Sequence, residues 1–140
     1  MTLPLAMGMA LLGSVAAVAS ATCDGGAAGT GARYLIAVWA AQRLGPSFPY
    51  GTLIVNLVGC FVIGAAVHAA LTLGWSPTLR ATVTIGFLGG LTTYSSFNHE
   101  TMGLFESGAI GIAGLNLAMT VLGGLIAGWL GVALARHIFG

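Results

Sequence analysis

Charge is what this sequence has least of. The chain of 140 residues has four arginines, no lysine, and three acidic residues, so charged side chains make up 5% of it against 57% hydrophobic. Soluble domains carry about 25% charged residues. So few charges cannot coat a surface that faces water, which excludes an ordinary soluble domain. Arg33, Arg43, Arg80 and Arg136 are scattered along the chain and form no clustered basic stretch, which excludes nucleic acid as a partner. Cysteine is scarce too. Cys23 and Cys60 stand alone, without a CxxC partner or a metal-ligand neighbourhood, and read as small packing residues. Catalytic spacing is also missing. His99-Glu100 opens like HExxH, but residue 103 is Gly, so the second zinc ligand is absent. Ser95 and His99 share a helical spacing with no acid to orient them as a triad needs. Phosphate loops and dinucleotide fingerprints do not occur, and the chain reads as no enzyme.

What the chain has in quantity is long apolar runs. A helix crosses the hydrocarbon layer with roughly 20 apolar residues, and 140 residues allow about four such crossings. Gly51–Leu73 is one, with His68 its only ionisable side chain, punctuated by Pro49 before it and Gly74–Pro77 after it. Thr78–Glu106 starts apolar and turns polar in its middle. Gly108–Ala135 is uninterrupted and closes on Arg136 and His137. Before Pro46 two candidates overlap. Leu3–Ala21 is apolar, and Ala19-Ser20-Ala21 resembles a small-residue cleavage site, although no Lys or Arg precedes it. Gly25–Leu44 is also long enough to span. The reading adopted is one long first span within Val15–Leu44, residues 1–14 as an extension, and residues 15–140 as a single four-helix transmembrane domain.

The 23 glycines include Gly25xxxGly29, Gly86xxxGly90 and Gly124xxxGly128, which set small residues one turn apart where helices pack closely in lipid. Four crossings put both termini on one side with Arg80 and Arg136, and leave Arg43 on the other. Orientation follows the Lys/Arg count of short loops, and two against one is almost no bias. A chain that inserts either way up can form an antiparallel dimer.

Polar groups inside a span are costly, so they turn towards an interior or a pathway. Here they gather at Thr52 and Asn56 in the second span, at Gly89-Gly90-Leu91-Thr92-Thr93-Tyr94-Ser95-Ser96-Phe97-Asn98 in the third, and at Asn116 and Thr120 in the fourth. Paired glycines followed by hydroxyl residues, in the middle of a span, predict a broken helix. Backbone freed there must be satisfied within the protein or by an ion. Unwound carbonyls suit a monovalent cation. Along the side chains the chemistry is the opposite. Amide N–H and hydroxyl groups donate, ring edges are electropositive, and no carboxylate stands among these residues. Such a path fits a small, hard anion that trades water for hydrogen bonds.

Phe48-Pro49-Tyr50-Gly51-Thr52-Leu53-Ile54-Val55-Asn56-Leu57-Val58-Gly59 is similar to the second-helix signature of the Fluc-type fluoride channels, the CrcB family. Gly86-Phe87-Leu88-Gly89-Gly90-Leu91-Thr92-Thr93-Tyr94-Ser95-Ser96-Phe97, with Glu100 following, resembles that family's third-helix signature, and Gly25-Gly26, Gly29 and Arg33-Tyr34 resemble its first helix. The resemblance runs from about Gly25 to Arg136.

It implies an all-α membrane protein with four transmembrane helices per subunit, a break in the third, and an antiparallel dual-topology homodimer. The implied function is passive fluoride export across the bacterial inner membrane. The implied cofactor is a sodium ion at the dimer centre, on backbone carbonyls of Gly89 and Thr92. Asn56 matches the family's pore-lining Asn, Tyr94 and Phe97 its two pore-facing Phe positions, and Thr93, Ser96 and Thr120 its hydroxyl track. Thr52 joins the pathway one turn before Asn56. Arg33 and Glu100 are vestibule or structural residues. Two departures stand out: Tyr94 replaces Phe, and Gly124 sits where another hydroxyl is expected. The competing reading is a small dual-topology proton-coupled exporter. That function needs an embedded carboxylate in the first span, for which Asp24 is the one candidate.

Overall fold

A computed structural model describes the backbone of residues 3–140 and the side chains from residue 11 onward. Met1 and Thr2, part of the expected extension, lie outside the described residues. Among the described residues the regular structure is all helical, with no strand. α1 (Leu3–Leu44), α2 (Tyr50–Thr72) and α6 (Ile110–Phe139) are single long helices. Between α2 and α6 the third crossing is assembled from pieces: α3 (Pro77–Ala81), a π-helical segment (Thr82–Phe87), α4 (Leu88–Leu91) and α5 (Tyr94–Glu106). Four crossings result, and the expected break falls in the third. α1 begins well before Val15, so the first helix is longer than the span expected from its apolar run.

Local chemistry explains the boundaries. Gly74 and Gly108 carry φ of 64° and 78°, a region open to glycine at little steric cost, and they turn the chain after α2 and α5. Ser76 caps α3 by accepting from Leu79 N at 3.2 Å, with Pro77 pre-set in the first turn. The hydroxyls of Thr82 and Thr84 donate back to the carbonyls of Thr78 and Arg80 at 2.9 and 2.8 Å. Bonds of this kind loosen a helix, and here they flank the widened π-helical turn.

α2 packs along α6, and α1 packs along the third crossing. Two of the small-residue motifs face each other at the second of these contacts. Gly29 lies against the Phe87 backbone and Gly90 against the Gly26 backbone, so a methyl group at Gly29 has no room. The inner core is small: Val55, Leu88 and Leu91, with Ile36, Val62 and Phe87 packed around it. Large apolar side chains point outward instead; Leu71, Leu125 and Trp129 are each 69% exposed. An exposed apolar surface this extensive is a lipid-facing one, and the protein is a multi-pass membrane protein. α1 from Leu11, α2 and α6 are each long and apolar enough to cross alone; the third crossing is divided by its break.

Candidate functional site at the helix break

The third crossing loses its helical path at Thr92 and Thr93, whose backbones are extended (φ/ψ −84/157° and −153/116°). The reason the break is tolerated lies in its hydrogen bonds. In an unbroken helix the N–H of Thr93 would bond the Gly89 carbonyl, and that of Ser96 the Thr92 carbonyl. Both are diverted. Thr93 N donates to Asn56 Oδ1 at 2.8 Å, and Ser96 N donates to Thr93 Oγ1 at 3.2 Å. Asn56 Nδ2 in turn donates to Thr93 O at 3.1 Å. Thr93 is thus the cap of α5 and the partner of Asn56 at once. The carbonyls of Gly89 and Thr92, the two positions expected to hold sodium, are among those that lose their helical partners at the break.

Around this break lies a groove of about 350 Å³, lined among others by Asn56, Gly89, Thr92, Thr93, Tyr94, Phe97 and Thr120. Phe97 and Asn56 are buried, whereas Tyr94 is 79% exposed at the groove's mouth. The two rings are 5.6 Å apart and tilted by 58°, so an edge of one can face the space beside the other. The amide of Asn56 has two N–H donors, and one of them remains beyond its bond to Thr93. Thr120 Oγ1 is a buried oxygen without a partner among the described residues, which leaves its hydroxyl to donate into the groove. Among the described residues no carboxylate lines the groove.

Ser96 is tied in through Thr93, whose hydroxyl donates to Ser96 Oγ at 3.1 Å. Thr52 does not share this groove. It lines a second cavity of about 370 Å³, together with Phe48, Tyr50 and Glu100, and donates to Glu100 Oε1 at 2.7 Å. Glu100 Oε2 is buried without a partner among the described residues. Thr52 stands one turn from Asn56 on α2, and Glu100 one turn from Ser96 on α5, so the two cavities follow one another along the same pair of helices. Arg33 is half-buried on α1 and lines neither.

Asn116 and Thr120, four residues apart, share one face of the fourth span by their spacing. The structure separates their tasks: Asn116 is 1% exposed and donates to Thr101 Oγ1 at 2.9 Å, which ties α6 to α5. Thr101 went unnoticed in the sequence because a lone threonine in a helix carries no signal of its distant partner. Cys60 was also read as packing alone, yet it lines the groove and fills the space beside Gly124, whose added methyl group would meet the thiol sulfur at 3.3 Å. Gly124 is therefore the small residue that accommodates Cys60 at the α2–α6 contact.

Residues 20–132 match the family described as CrcB-like protein, Camphor Resistance (CrcB). The chain belongs to the CrcB family. Among its relatives is the "Fluoride-specific ion channel FluC" of Sorangium cellulosum, 52% identical over 117 residues, covering 81% of this chain and 91% of that protein. Proteins of the same name from Geotalea daltonii (48% over 115 residues, 81% and 92% covered) and Anaeromyxobacter sp. strain K (44% over 119 residues, 84% and 94% covered) are similar too. The CrcB match takes in both cavities, the break and all four crossings.

Proposed function

We propose that this CrcB protein is a fluoride-selective channel of the bacterial inner membrane, which lets the ion leave the cytoplasm by passive conduction and so lowers its toxicity. The observation that carries the reading is the groove at the break. Free donors from Asn56 and Thr120 meet the rings of Tyr94 and Phe97 there, with no carboxylate on the wall. Fluoride holds its water tightly and crosses hydrocarbon only where donors replace that shell. A larger halide gains less from the same donors and fits their spacing less well. The relatives' names point to the same ion. The route runs from the groove past Thr93 and Ser96 towards Thr52, one turn further along α2, whose hydroxyl Glu100 holds in place.

The reading includes a dual-topology homodimer. Its support is the weak arginine bias between the two sides and the exposed face of the break, where Gly89, Tyr94 and Ser95 lie uncovered on the single subunit. It also includes a structural sodium ion. The diverted helix bonds fit such an ion: the carbonyls of Gly89 and Thr92 are neutral oxygen donors at a helix break, as a monovalent cation requires. Bound there, the ion would satisfy the break and fix its geometry.

The proton-coupled exporter lacks its acid. Asp24 is exposed on α1 and lines neither cavity. Efflux from liposomes loaded with fluoride or chloride tests the channel reading. Rapid fluoride loss with retained chloride is expected. Equal fluxes of the two ions, or fluoride flux that requires a proton gradient, would overturn it.

A further inference from the structure

α1 is 42 residues long, about 63 Å at 1.5 Å per residue, and the hydrocarbon core is about 30 Å thick. Among the glycine contacts, the earliest on α1 is Thr22 O against Gly86, followed by Gly25 on Thr82, Gly26 on Gly90 and Gly29 on Phe87, whereas Gly13 has nothing within 4 Å. Ahead of it, residues 11–20 are exposed except for half-buried Val18, and Leu11, Leu12 and Val15 are 61%, 72% and 59% exposed. The family match also begins at residue 20. A helix running from Thr22 to Leu44 has the same 23 residues as α2.

The junction itself carries the marks of a helix start. Threonine is a preferred first residue of a helix. Asp24 would then fall in the first turn, where the helix dipole favours a carboxylate. In the long helix Asp24 sits in mid-run, exposed, with no such role. Thr22 donates its hydroxyl to Val18 O at 2.7 Å, a bond that loosens the helix just there. Alanines 19 and 21 occupy the third and first positions before Thr22, the spacing that a small-residue cleavage site requires. Leu3–Ala21 is apolar apart from Ser14 and Ser20, and in the continuous helix its 19 residues carry α1 about 28 Å past the junction, which leaves the junction at the membrane face.

We propose that the Ala21–Thr22 peptide bond is a processing site, cut by a membrane-bound peptidase that reads small side chains at the first and third positions before the bond. Water adds across the amide. The C–N bond breaks, Ala21 leaves with the apolar segment as a new carboxylate, and Thr22 gains the α-amino group. The trimmed first helix matches its neighbour in length, and Asp24 becomes a first-turn residue. A peptidase acting at the outer face reaches only copies whose N-terminus lies there, so two-way insertion yields trimmed and full-length chains side by side.

Intact-mass measurement and N-terminal sequencing of the full chain purified from bacterial membranes test this, and neither depends on ion flux. The expected result is a species that begins at Thr22. Ala19→Phe, at an exposed position, should abolish that species, and Ala19→Ser should retain it. Complete trimming supports the cut and removes two-way insertion. If every chain retains residues ahead of Thr22, or trimming persists unchanged in Ala19→Phe, the processing site is refuted, and the channel reading is untouched.

Discussion

Asn56 grips Thr93 with both ends of its amide, accepting from the backbone N–H at 2.8 Å and donating to the carbonyl at 3.1 Å. The side chain completes the backbone of a neighbouring helix as a facing strand would. It is therefore both the device that keeps the third crossing broken and a donor to the groove. Its two roles are separable, because the first uses one amide hydrogen and leaves the other.

Asn56→Asp keeps the acceptor for Thr93 N but removes the donor to Thr93 O and puts a negative charge in the groove. Two like charges about 4 Å apart repel by about 4 kcal/mol at an effective dielectric of 20, or roughly a thousandfold in rate. Fluoride efflux should fall to background in liposomes, and undiminished efflux would remove Asn56 from the route.

Phe97→Ile keeps the bulk of a buried side chain and removes its ring edge. Efflux is expected to fall about tenfold, equivalent to ~1.4 kcal/mol at the barrier, with the folded protein retained by size-exclusion chromatography. Wild-type efflux from a well-folded variant would make Phe97 ordinary packing.

Thr52→Val leaves both oxygens of Glu100 without a partner, since Thr52 is its only donor among the described residues. An unsatisfied buried group costs about 1–3 kcal/mol, so the variant should melt earlier in detergent and conduct less. Thr52→Ser should restore both properties. Unaltered melting and efflux in the valine variant would take Thr52 out of the pathway and out of the fold's stability.

Gly131→Ala drives a methyl group into the Phe61 backbone at the α2–α6 contact. Overpacking of this kind costs about 1–3 kcal/mol, and a lower melting temperature is expected. Gly114→Ala, on the same helix with nothing within 4 Å of the added carbon, should be neutral or stabilising by up to about 1 kcal/mol through helix propensity. Equal effects of the two substitutions would contradict the packing of α2 on α6.

The glycine pair at 89 and 90 followed by hydroxyl residues signalled the break, because glycine and threonine weaken a helix locally whatever surrounds them. Within that stretch the helix parts at Thr92 and Thr93, where Asn56 supplies replacement bonds. Asn56 and Phe97 were recognised from a motif, and the groove does bring them together. Thr52 was grouped with Asn56 by one-turn spacing, yet its hydroxyl turns to Glu100. Spacing on one helix says which residues share a face, and nothing about which neighbour stands opposite.

By itself the sequence determined the solvent, the number of crossings and the place where one must fail, for these depend on composition and on preferences within a few residues. The tertiary structure decided which polar groups answer one another. Asn56 and Thr93 are 37 residues apart, Thr52 and Glu100 are 48 apart, and Thr101 and Asn116 are 15 apart. In hydrocarbon a polar group has no water to turn to, so its partner is whichever group the packing of helices brings within reach. That packing is a property of the folded chain alone.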